Sequence, residues 1–133
     1  MDPDKVNQDS FVTAPNLNNQ SWLHYFGVCD GHGSNGHLVS QYAKKNLPLE
    51  LAKIRNVQEN PKQKFMNAFK TISDRLPGDL NVDLGMSGST SVGVYLSHNK
   101  LYCLNLGDSK AVLGSKDKQN KWMSTALSID HKP

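Results

Sequence analysis

The order of elements along the chain predicts an α+β fold. Three observations carry that expectation. β-like runs open the chain, two helical segments fill its middle, and four further β-like runs follow Ser87. Elements sorted into blocks favour an antiparallel sheet with segregated helices over alternating βαβ units. At 133 residues the chain has room for one domain. It shows no internal repeat and no low-complexity tract.

Residues 21–30, SWLHYFGVCD, combine aromatic and β-branched side chains in a run too short for a buried helix. They read as a strand that Asp30-Gly31 ends. GHLVSQYAKKNLPLELAKI follows, with Leu38, Val39, Tyr42 and Leu47 at helical spacing. Pro48 is expected to kink or divide this helix, because proline has no N–H for the ladder. Asn60-Pro61 starts a second helix, with Asn as N-cap and Pro at the first helical position. Phe65, Phe69, Ile72 and Leu76 share one of its faces, and Pro77-Gly78 is expected to end it.

Beyond Ser87 the period shortens. STSVGVYLS, KLYCLNLG, SKAVLGS and KWMSTALSI read as a meander of four strands. Ser97-His98-Asn99 and Lys116 to Asn120 are the expected hairpin tips.

Bulk properties exclude several function classes. Lys+Arg is 15 against Asp+Glu 12, a net charge of +3, and the cations are scattered. No basic stripe with interleaved aromatics marks a nucleic-acid surface. No apolar run reaches the ~18 residues of a membrane span. The start, MDPDKVNQDS, lacks the cationic-then-apolar layout of a signal peptide. Cys29 and Cys103 each lie in a strand-like run and read as reduced, buried thiols rather than a disulfide. The expectation is an intracellular protein, cytoplasmic or nuclear.

Gly31-x-Gly33-x-x-Gly36 matches the glycine fingerprint of dinucleotide-binding folds. The context does not. A dinucleotide fold needs the helix to return to a parallel strand ending in an acidic residue about 20 residues later. Glu50 has roughly that separation but lies in a helical segment, and a second helix comes next. Asp30 would also set a carboxylate beside the phosphates. No dinucleotide is expected.

Asp30-Gly31-His32-Gly33 suits a hard cation better. Asp30 offers a charged oxygen, and Gly31 lets its carbonyl approach the same ion. His32 is then placed to transfer a proton. Read alone, the stretch equally fits an Asp-Gly turn with His32 in solvent. Asp9 in NQDSF could be a further oxygen ligand or an ordinary strand start. Asp108 in NLGDSKAVL reads by itself as part of a tight turn. SGST at 87–90 lacks the second glycine of a nucleophile elbow and reads as a small-residue strand start where backbones pass closely.

In their order these pieces say more. NQDSF, FGVCDGHGSNGH, SGSTSVGVYL, LNLGDSKAVLGS and LSIDHKP resemble, in sequence and spacing, the metal-dependent Ser/Thr protein phosphatases of type 2C, the PPM family. The resemblance runs from Lys5 to Pro133. It implies a four-layer α-β-β-α sandwich of antiparallel sheets with flanking helices. It also implies two Mg²⁺ or Mn²⁺ ions, with a weaker third in many members, and phosphorylated proteins as substrates. By motif match Asp30 resembles the carboxylate bridging both metals, and Gly31 the carbonyl ligand. Asp9 resembles the acid acting through metal-bound water, and Asp108 a ligand of the third metal. His32 resembles the general acid that protonates the leaving alkoxide.

Two positions depart from the family pattern. The basic phosphate-binding residue expected five positions before Asp9 is Asp4, with Lys5 one step later. Gln8 stands where many animal members carry glutamate. The later Ser-Asp-Gly and Asp-Asn motifs do not occur in residues 1–133, so the resemblance implies a single partial domain, truncated on its C-terminal side. The part of the first strand that precedes Asp4 in the family is also absent. Uncovered by a second sheet, Val92, Val94, Leu104 and Val112 or their alternating neighbours must face water. Function is accordingly expected to be protein Ser/Thr phosphatase activity. The alternative is a non-catalytic remnant that binds phosphoproteins or a full-length relative.

Overall fold

The computed structural model describes residues 6–131. It has the expected α+β architecture. β1 (Ser10–Ala14) and β2 (Leu23–Cys29) are joined by a loop holding one 3-10 turn, Leu17–Asn19. β3 (Gly31–His32), α1 (Gly36–Leu51) and α2 (Pro61–Leu80) follow. Then come β4 (Gly88–Ser89), β5 (Ser91–Ser97), β6 (Lys100–Leu106), β7 (Val112–Lys116) and β8 (Trp122–Ala126). The main sheet is antiparallel in the order β1-β2-β5-β6. Both helices cover one side of it, which makes two of the four layers the family pattern implies.

Alternation along each strand decides which side chains meet the helices. Val12, Leu23, Tyr25, Tyr95 and Leu104 join Tyr42, Leu47, Leu51, Phe65, Ala68 and Ile72 in one core. Phe65 packs edge-on to Tyr95 at 5.1 Å between ring centroids and lies 5.5 Å from Tyr102. On the opposite side, register sets Phe11 against Val28, Phe26 against Val94 and Leu96 against Leu101. Phe11 is 64% exposed there, Val28 49% and Leu101 44%. The expected exposure is therefore real and holds for Val112, but Val94 is half-buried and Val92 and Leu104 are buried.

Two proline expectations are corrected. α1 runs through Pro48 and ends at the fully buried Leu51. Pro48 leaves only the Lys44 carbonyl without its helical donor, on an exposed flank where water can serve. α2 likewise passes Pro77-Gly78. It stops at Asn81, whose left-handed conformation (φ 49°) and N–H bond to the Pro77 carbonyl close the last turn. Leu80 thereby gains contact with the core. Asn60 does precede α2, but its side chain makes no cap bond and its backbone is left-handed.

A third correction concerns the C-terminal strands. β5 and β6 complete the main sheet, while β7 and β8 pair only with each other among the described residues. Each run has strand periodicity, but the pairing partner is a tertiary choice. Both faces of this hairpin are exposed, with Lys116 over the Trp122 ring. Cys29 is buried and Cys103 half-buried, both as free thiols. No helix among the described residues is long and apolar enough to cross a membrane.

Glu50 ties the helices together. Its Oε1 takes Lys53 Nζ at 2.7 Å within α1 and Arg75 Nη2 at 2.6 Å from α2. The Lys53 bond, opposed by partial desolvation and assisted by Arg75, holds the carboxyl below the usual carboxylate range. A depressed carboxyl stabilises the fold above its unfolded-chain value, and that contribution is lost as pH falls through the folded value. Glu50→Gln in the full-length gene product should therefore lower the melting temperature near neutrality by about 1–3 °C. The gap from wild type should close on acidification, as thermal melts across pH would show.

The uncovered sheet side makes its own prediction. Contiguous exposed apolar surface favours association. Purified alone, the 133-residue chain should self-associate or melt without a sharp transition. Phe26→Lys with Val28→Thr should shift it toward monomer by light scattering. A stable monomer of the unaltered chain would contradict this.

Candidate active site

Strand register assembles the site. Ser10 pairs with Cys29, Val28 with Val92, and Ser91 with Leu106. Extended by one step, the same register sets Asp9 beside Asp30 and Thr90 beside Gly107; extended by two, it sets Asp30 beside Thr90. Four strand ends thus put the motif residues in one row at one end of the sheet.

Hydrogen bonds tie that row together. The Thr90 N–H donates to the Asp30 carbonyl at 2.8 Å. The Asp30 N–H donates to Thr90 Oγ1 at 3.1 Å. Thr90 Oγ1 also lies 2.7 Å from Ser109 Oγ, reaching the loop that carries Asp108. Gly107, at φ 103°, turns that loop tightly past Thr90: a Cβ there would lie 2.9 Å from Thr90 Cγ2. Asn7 Oδ1 accepts the Asp9 N–H at 2.9 Å, an Asx turn that sets the start of β1.

β3 and β4 form a short ladder beside the row, Gly31 opposite Ser89 and His32 opposite Gly88. SGST is thus a place of close backbone passage, as its small residues suggest. The imidazole of His32 lies on Gly88, where a Cβ would sit 2.8 Å from Nε2.

Asp9, Asp30, His32 and Asp108 are all exposed, while Gly31 is buried. None of the three carboxylates has an ion-pair partner among the described residues. Asp9 and Asp30 share the row, and Asp108 sits one residue past it on the adjoining loop. Among the described residues no three acid, histidine or cysteine side chains converge closely enough to hold a metal ion. Lys5 and Asp4 lie outside the described residues. Two concavities, of about 1030 and 900 Å³, are lined by none of Asp9, Asp30, His32 and Asp108. The row is an open rim.

Nothing local in the sequence marks Thr90, Ser109 and Gly88 as part of this row. The SGST signal was visible, but their roles follow from contacts between positions far apart in the chain.

The protein phosphatase 2C family profile matches residues 4–133. The chain belongs to the protein phosphatase 2C family. It is 36% identical over 131 residues to the Arabidopsis thaliana protein named "Probable protein phosphatase 2C 35", covering 98% of this chain and 37% of that protein. It is 29% identical over 165 residues to "Probable protein phosphatase 2C 14" of Oryza sativa subsp. japonica, covering 96% and 32%. The chain therefore spans about a third of the length of these relatives. Among solved structures, a serine-threonine phosphatase 2C from Toxoplasma gondii superposes with a TM-score of 0.76 at 23% identity, over 97% of this chain and 47% of that one. A PPM Ser-Thr phosphatase from Mycobacterium smegmatis in complex with cacodylate gives 0.63 at 22% identity, over 96% and 48%. These two likenesses establish a protein phosphatase 2C fold for this chain.

In this member of the protein phosphatase 2C family, the Gly88 contact predicts a separable effect. Gly88→Ala has only the exposed His32 ring to displace, so the fold should tolerate it. The melting temperature should stay within about 2 °C of wild type, while the His32 ring resonances shift in a histidine-selective NMR spectrum. Unshifted resonances would show that the ring does not rest on Gly88.

Proposed function

We propose that the protein is a metal-dependent phosphatase acting on phosphoserine and phosphothreonine in proteins. One observation carries the reading: two carboxylates without an ion-pair partner among the described residues, Asp9 and Asp30, meet in one row, with Gly31 and His32 directly following. Adjacent like charges without a partner favour a bound cation. The donors present thus fit part of a divalent-cation centre. Asp30 would hold the ions, with the Gly31 carbonyl as a neutral ligand and Asp9 acting directly or through water. Asp108 would serve a further, weaker site. Mg²⁺ and Mn²⁺ suit such an all-oxygen set.

Bound there, such ions supply an activated water for in-line attack on phosphorus. The chain's own residues do the rest. His32, exposed at the rim, donates a proton to the departing serine or threonine oxygen. Thr90 and Ser109 keep Asp30 in register with the Asp108 loop. Lys5 is the candidate contact for the substrate phosphate. An open rim suits a phosphorylated side chain presented by a protein better than a small molecule that needs enclosure. Two unpaired thiols accord with an intracellular, reducing setting.

The test uses the full-length gene product with Mn²⁺. Asp30→Asn should lower turnover on a phosphoserine peptide about a hundredfold or more. His32→Ala should slow that peptide by roughly 10²–10⁴-fold, yet barely affect p-nitrophenyl phosphate, whose phenolate leaves unaided. Near wild-type turnover in Asp30→Asn would sink the metal assignment. Equal losses on both substrates would remove His32 as the acid.

A further inference from the structure

Each of the three glycines of Gly31-x-Gly33-x-x-Gly36 is sterically required. A Cβ on Gly31 would lie 2.4 Å from the Gly36 carbonyl oxygen and 2.6 Å from the Gln8 carbonyl oxygen. A Cβ on Gly36 would lie 2.5 Å from Gln8 Oε1. Gly33 has φ +80°, and a Cβ there would meet the Met86 carbonyl. Two of these three spaces are occupied by one residue, Gln8.

Gln8 is half-buried, on the segment that leads into β1. Its Nε2 donates to the Gly33 carbonyl at 2.8 Å, across 25 residues of chain. Its own carbonyl accepts Ser40 Oγ at 2.6 Å, and that hydroxyl lies 3.1 Å from Ser10 Oγ. Gln8 is thus fixed at both ends, by α1 through its backbone and by the glycine loop through its side chain. The loop's other flank is held by Asn35: its N–H donates to Ser87 Oγ at 2.9 Å, and its side-chain amide to the Asp83 carbonyl at 2.7 Å.

We propose that Gln8 is the internal ligand of the glycine loop, a positioning residue whose amide N–H sets the path of the backbone carrying His32. In this chain the contact needs an amide donor, although many animal members carry glutamate at this position. A carbonyl oxygen accepts and cannot donate, so a carboxylate at position 8 would set oxygen against oxygen where Nε2 now donates. The preceding and following residues add to the effect, because Asn7 orients Asp9 and Asp9 shares a row with Asp30. One short segment therefore sets both the acid of β1 and the loop after β2.

The experiment compares wild type, Gln8→Met and Gln8→Glu in the full-length gene product. Methionine keeps length without a hydrogen bond, and glutamate keeps shape without a donor. Hydrogen exchange in metal-free protein is the first readout. Amides of Ser34 to Gly36 should exchange roughly 3- to 10-fold faster in Gln8→Met, and at least as fast in Gln8→Glu. β5 amides should be unchanged. Leaving-group discrimination with Mn²⁺ is the second readout, and it rests on the phosphatase reading. The phosphoserine-peptide rate should fall about tenfold relative to the p-nitrophenyl phosphate rate, because a small displacement of a catalytic group is costly. Unchanged loop exchange in both variants would overturn the proposal, as would faster exchange shared equally by β5. Faster loop exchange without any change in the substrate ratio would overturn the link to His32. Absence of metal-dependent turnover in wild type would instead sink the phosphatase reading, leaving the exchange result to judge Gln8.

Discussion

Antiparallel register is the constraint on which the rest depends. Once Ser10 faces Cys29 and Val28 faces Val92, the positions of Asp9, Asp30 and Thr90 follow without further choice. A slip of one residue would turn Tyr25 and Leu23 out of the core and send Phe26 and Val28 into it. That slip would also separate Asp9 from Asp30. The apolar alternation that builds the core is therefore the same feature that aligns the chemistry, and neither can change alone.

Legibility in the sequence followed the range of the interactions involved. Asp30, His32 and Asp108 stand out in the sequence because motif and turn chemistry are local, and strand register brings Asp30 to the row while Asp108 lies one residue past it. The same holds for the start of α2, marked by Asn60-Pro61. The helix ends were misread because a proline near a C-terminus removes one bond, and burial of Leu51 or contact by Leu80 outweighs that loss. The split of the C-terminal strands was invisible for a different reason. Val112 and Leu113 have the composition of a strand, but nothing within a few residues states which strand they join. Gln8 shows the limit most clearly. It stands out in the sequence only as a departure from the family pattern, and its partner at Gly33 is 25 residues away. The glycine pattern marks the loop, but nothing in it states that Gln8 packs against it.

The molecule has two unlike sides and two unlike ends. One side of the sheet is closed by α1 and α2 over an aromatic cluster of Phe65, Tyr95 and Tyr102. The other presents Phe11, Phe26, Val28 and Leu101. The hairpin of β7 and β8 is joined to the sheet by polar bonds, Asn105 Nδ2 to the Ile129 carbonyl and His131 N–H to the Gly107 carbonyl. It has little apolar packing of its own. Stability is thus concentrated under the helices, and the apolar surface elsewhere governs association rather than folding.

At the candidate site, a further division separates the exposed residues proposed to react from the buried ones around them. Asp9, Asp30, His32 and Asp108 are exposed, and none belongs to the core. Removing one of them costs little packing, so its effect should appear in chemistry. Gly31, Gly36 and Ser40 are buried within the same few ångströms, where added atoms meet backbone. Substituting these should disturb fold and chemistry together. Thr90 stands between the groups: half-buried, it spends its hydroxyl on Asp30 and Ser109 rather than on solvent. The exposed rim of carboxylates is thus backed by an inner layer of small residues and hydroxyls whose contacts fix the backbone beneath it.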